Sequence, residues 1–150
     1  MKVFVVEDSA IVLNDLQSML SDIPGVTVIG MAVDESHAIE RINALRPDVV
    51  TLDIQLQSGS GLGVLRNVKE HHAGIKVMVL TNYSEPAYVD RCMRLGADYF
   101  FDKSLQYAQF REALLNLAHL ERIDNGSGAS QIAGTSPAAN RLISPVTGNS

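Results

Sequence analysis

Basic residues are in short supply. Twelve Lys and Arg stand against seventeen Asp and Glu, a net charge of −5, which argues against the concentrated basic face of a nucleic-acid binder. Cysteine is scarcer still. Cys92 is alone, so it can form no internal disulfide and offers no metal-ligand spacing, a usage that favours a reducing compartment. Long apolar runs are missing too. No stretch approaches the ~20 apolar residues of a membrane span. The four apolar residues between Lys2 and Glu7 fall short of the roughly 7–15 of a signal-peptide core. A cytoplasmic chain without membrane contact is the expectation.

What is present is patterned. The 150 residues are 46% hydrophobic and 19% charged, and a body of about 120 residues can bury an ordinary core. Short apolar runs at 3–6, 26–30, 49–52, 77–80 and 99–101 read as strands. Between them lie segments of helical periodicity. The first, 9–20, carries Leu13, Leu16 and Leu20 on one stripe; the second follows Asp34 as cap and stops before Pro47. The third starts near Ser60 and breaks at Gly74, the fourth starts at Ser84 or Pro86 and closes at Gly96, and the fifth covers 105–122.

Strands alternating with helices through short loops make an α/β fold with one five-stranded parallel sheet. Periodicity ends at Asp124, where Asn, Gly, Ser and Ala take over. The expected division is a domain over 1–122 and a flexible low-complexity tail or linker over 123–150.

Chemistry collects at the strand ends. The first strand runs into Glu7 and Asp8, the third into Asp53, the fourth into Thr81, and the fifth into Asp102 and Lys103. In an open parallel sheet these carboxyl ends line the ligand crevice. Carboxylates crowded together repel and raise one another's pKa. A hard divalent cation removes that conflict, and Mg²⁺ takes a few carboxylate oxygens while keeping waters for a phosphate. Lys103 adds a point charge and Thr81 a hydroxyl donor. The set suits phosphoryl transfer to a carboxylate nucleophile. Gly59, Gly61 and Gly63 lack the spacing of a phosphate-binding loop and read as turn residues.

With these residues in register, residues 1 to about 122 resemble the receiver domain of two-component response regulators. The resemblance rests on Glu7, Asp8, Asp53, Thr81, Tyr99 and Lys103, and it implies the flavodoxin-like strand order 2-1-3-4-5. It implies that Asp53 accepts phosphate from a sensor histidine kinase or phosphotransfer protein. Asp8 and Asp53 would bind Mg²⁺ directly, Glu7 through water, and the backbone carbonyl of Gln55 would complete the site. On phosphorylation Thr81 would turn toward the phosphate and Tyr99 move inward behind it. The surface of the fourth helix, fifth strand and fifth helix would then change and engage a downstream protein or a second copy. Tyr88, Arg91 and Asp98 are candidates for that face. Many receivers have proline after the lysine, where this chain has Ser104. Tyr83 is bulky enough to shield a phosphoaspartate from water.

Two rivals come from other classes. A Mg²⁺-dependent phosphohydrolase of the haloacid-dehalogenase type also uses an aspartate nucleophile, but needs an acid two positions later, where Gln55 stands. An amide cannot protonate a leaving group, so the chain reads as a signalling module rather than an enzyme. The other rival is the amino-terminal receiver of a truncated DNA-binding regulator. Residues 125–150 show no helix-turn-helix or basic helix.

Overall fold

In the computed structural model, which describes residues 1–125, every expected strand and helix forms. The strands are β1 (Lys2–Val6), β2 (Thr27–Ala32), β3 (Val49–Leu52), β4 (Lys76–Thr81) and β5 (Tyr99–Asp102). The helices are α1 (Ala10–Ser21), α2 (Glu35–Leu45), α3 (Gly61–His71), α4 (Pro86–Arg94) and α5 (Tyr107–Asn125). All strand pairs are parallel, and the order is β2-β1-β3-β4-β5.

The three central strands are apolar at nearly every position because both faces are covered. Side chains alternate. Phe4, Val6, Val50, Leu52, Val77, Val79 and Phe100 belong to the core shared with α2, α3 and α4. Val3, Val5, Val49, Met78, Leu80, Tyr99 and Phe101 join Leu16 and Leu20 of α1 and Phe110, Leu114 and Leu117 of α5. Burying a large apolar side chain contributes roughly 1.5–3 kcal/mol, so the two stripes hold the helices to the sheet.

Helix starts follow local chemistry. Ser9, Asp34 and Ser60 accept backbone N–H groups from Val12, His37 and Leu62, filling bonds the first turn cannot make internally. Ser84 does not cap α4. That helix begins at Pro86, whose missing N–H costs nothing there, and the Ser84 hydroxyl donates to Asp102 instead. The expected start of α5 at 105 also moves, to Tyr107, because the backbone N–H groups of Ser104 and Leu105 turn back onto Asp102. At its far end α5 passes 122 and continues to Asn125. The rest of the expected tail, 126–150, lies outside the described residues.

Candidate functional site

Register brings the acids together. Val6 and Leu52 are partners across β1 and β3, so the next residues, Glu7 and Asp53, leave the sheet side by side. The ladder holds them there: Asp53 N–H donates to Val6 carbonyl and Glu7 N–H to Ala32 carbonyl, each at 3.0 Å. β4 runs further, pairing Thr81 with Asp102. Lys103 N–H donates to the Thr81 carbonyl at 2.8 Å, which starts the next loop at the sheet edge.

From there the Lys103 side chain crosses back over the strand ends. Its Nζ lies 2.8 Å from Glu7 Oε1 and 2.9 Å from Asp53 Oδ2. The Glu7 side chain is only 2% exposed, and burial pushes its carboxyl above the ordinary range, against the pull of Lys103 and the Ser9 N–H. Burial opposes charge on Lys103 as well, but hydrogen bonds to Glu7 and Asp53 outweigh it and hold the amine above its usual value.

Glu7, Asp8 and Asp53 can offer oxygens that all lie within 4.8 Å of one another. Asp8 is exposed, and a cleft of about 350 Å³ opens over the cluster, with Gln55, Asn82 and Tyr83 on its walls. A donor set of carboxylate oxygens, with Gln55 on the wall of the same cleft, fits a hard divalent cation that retains water.

The other expected residues fall differently. Thr81 stands at the same sheet edge, fully buried, its Oγ1 accepting the Tyr83 N–H at 3.2 Å. Tyr99 is not brought to it. Tyr99 faces α1 and α5, stacked on Phe101 at 6.0 Å and 12°. Thr81 shares the alternation of Val77 and Val79 and therefore looks toward α4. The aromatic on that face is Phe100, the cross-strand partner of Val79. The expected placement of Tyr99 behind Thr81 is thus corrected: Phe100 lies on the Thr81 face and Tyr99 on the other, because neighbours on a strand point to opposite faces.

Asp98 is held from within the fold. Its carboxylate accepts Lys69 Nζ at 2.7 Å and Val77 N–H at 2.9 Å, tying α3 to the start of β5. Tyr88 and Arg91 are exposed on α4. Tyr83 donates its hydroxyl to the Gln55 side-chain oxygen, linking the loops after β3 and β4 beside the acids.

The glycines after β3 do more than turn. A Cβ at Gly61 would stand 2.1 Å from the Asp53 carbonyl oxygen, and one at Gly63 would stand 2.1 Å from Glu35 Oε2. Glu35 was not legible as a site residue; its carboxylate accepts the Ser60 N–H at 2.8 Å and so fixes the loop carrying Gln55. Asp102 was visible at a strand end, but its partners were not.

The family model described as the response regulator receiver domain matches residues 3–115. A protein-glutamate methylesterase/protein-glutamine glutaminase of Methanospirillum hungatei is 37% identical over 79% of this chain and 35% of its own length. The response regulator GacA of Pseudomonas syringae is 30% identical over 88% of this chain and 62% of its own. The chain thus spans about a third to three fifths of these relatives. Among solved structures, the response regulator domain of Thermotoga maritima CheB matches with TM-score 0.69 and 29% identity, covering 79% of this chain and 93% of that one. The signal receiver domain of the putative response regulator NarL from Mycobacterium tuberculosis matches with TM-score 0.71 and 29% identity, covering 79% and 95%.

Proposed function

The chain belongs to the response regulator receiver domain family, and from that premise we propose that Asp53 is a phosphoryl acceptor serving a two-component phosphorelay. The observation that carries the reading is the contact of one ammonium, Lys103 Nζ, with both Asp53 and Glu7 at 2.9 and 2.8 Å beside an acid cluster open to solvent.

Asp53, Asp8 and the Gln55 carbonyl would hold Mg²⁺, with Glu7 acting through water. When bound, the cation offsets negative charge on a transferring phosphoryl group. An Asp53 oxygen forms the new bond to phosphorus as the bond from phosphorus to the donor's histidine nitrogen breaks, and the imidazole leaves with that electron pair. Lys103 follows the phosphoryl oxygens as a fixed positive charge. The donor is a sensor histidine kinase or a phosphotransfer protein.

The new dianion then competes for the Thr81 hydroxyl, which turns from the Tyr83 N–H to donate to a phosphoryl oxygen. Phe100 fills the space behind it. The α4–β5–α5 surface changes in response, as a charge added at one end of a two-state element would require. A downstream protein or a second copy reads that surface. No nucleic acid is bound by this chain itself, and its place is the cytoplasm; no helix among the described residues is long and apolar enough to cross a membrane. Gln55 in place of a general acid supports self-phosphorylation and self-dephosphorylation rather than turnover of outside substrates.

Incubation with Mg²⁺ and acetyl phosphate tests the reading. The expected result is one acid-stable, base-labile phosphate, absent in Asp53→Asn. Steady-state release of phosphate from unrelated monoesters would favour the phosphohydrolase instead.

A further inference from the structure

Resting on that function, we infer that Asp102 is a positioning residue for phosphoryl transfer. It holds the turn that aims Lys103 at Asp53, and through Ser84 it binds the loop after Thr81 to the same turn.

The Asp102 carboxylate is 6% exposed as a residue and uses both oxygens. Oδ1 accepts the backbone N–H of Ser104 at 2.8 Å and of Leu105 at 2.9 Å. Oδ2 accepts the Ser84 hydroxyl from the other loop. Its own N–H donates to Gln106 Oε1 at 2.9 Å, and its carbonyl accepts the Gln106 N–H at 2.8 Å. A second link joins the same two loops, Ser104 Oγ to Asn82 Oδ1 at 3.2 Å.

Lys103 sits inside this web. Its backbone is flanked by Asp102 and by Ser104, whose N–H the carboxylate holds, while its own N–H is fixed to the Thr81 carbonyl. The side chain must span from there to Asp53 and Glu7, and a long flexible stem delivers its charge only if its root is fixed. Ser104 lacks the ring that restricts a proline's backbone; the carboxylate supplies the restraint by hydrogen bonding. Ser84 lies three residues after Thr81, so the acid that fixes the turn of the lysine also holds the loop that follows the Thr81 hydroxyl.

The full chain, Asp102→Ala, Asp102→Asn, Lys103→Ala and the Asp102→Ala/Lys103→Ala double variant are compared for phosphorylation rate at saturating acetyl phosphate and Mg²⁺. Asp102→Ala is expected to slow the rate about tenfold with unchanged Mg²⁺ affinity. In the Lys103→Ala background it should cost less than about twofold, the signature of acting through Lys103. Asp102→Asn keeps an oxygen for the two backbone N–H groups and should return to within about threefold of the parent. Nitrogen-15 NMR of the Lys103 ammonium, needing no phosphate, should show its signal sharp in the parent and Asp102→Asn, and broadened in Asp102→Ala.

A parent chain that takes no phosphate on Asp53 removes the proposed function itself. A parent that phosphorylates normally, with Asp102→Ala matching its rate or losing the same factor in both backgrounds, removes this inference alone. Should Asp102→Ala fail to fold, Asp102→Leu/Ser84→Ala, which removes the carboxylate and its partner together, takes its place under the same criteria.

Discussion

Lys103 lies fifty positions beyond Asp53 in the chain, yet its ammonium is 2.9 Å from that carboxylate. Both were legible in the sequence because each is a polar residue at or just after the end of an apolar strand. Which neighbour of Lys103 faces Thr81 was not: three aromatics stand in a row at 99–101, and only the pairing with β4 assigns Phe100 to that side. Tyr83 was legible as bulk near the acids, and its bond to Gln55 draws two loops together there. Tyr83→Glu breaks that contact and brings a charged, hydrated group to the cleft. Phosphate should leave Asp53 on the order of tenfold faster, ~1.4 kcal/mol in the barrier, measured by following dephosphorylation after removal of the donor. A rate no faster than the parent's would refute shielding by Tyr83.

At the scale of elements, strand and helix order followed from apolar runs and their punctuation, while ends moved by up to three residues, the starts of α4 and α5 because tertiary bonds captured the groups there. Ser84 and Pro86 are equally good start signals in the sequence, and the Asp102 carboxylate, eighteen residues away, decides between them. The start of α3 carries a different constraint. Gly61 N–H donates to the Ile54 carbonyl at 2.6 Å, and no Cβ fits against the Asp53 carbonyl. Gly61→Ala must push β3 and α3 apart. It should destabilise the fold by at least about 2 kcal/mol and lower the phosphorylation rate of the fraction that remains folded. Urea unfolding and acetyl phosphate labelling would check both effects, and an unaltered midpoint would contradict the close approach.

For the whole molecule, the conflict among Glu7, Asp8 and Asp53 predicts a coupling between cation binding and stability. Burial already disfavours the charged form of Glu7, so a divalent cation that binds only the folded site should stabilise it. At a concentration 100 times its dissociation constant the gain is about 2.7 kcal/mol. That corresponds to a rise of roughly 10 °C in Tm. Calorimetry with Mg²⁺ and with chelator should show the shift, reduced in Asp53→Asn; equal Tm values in the parent would refute a site formed by these acids. The sequence by itself determined the class of fold, the parallel strand order through its resemblance, and the residue types gathered at one edge, because apolar period and strand-end polarity are local properties. Only the tertiary structure decided which side chain faces which, why Asp98 is tied inward, and how Asp102 joins two loops. Those depend on register between segments distant in the chain, where a shift of one residue turns a side chain to the opposite face.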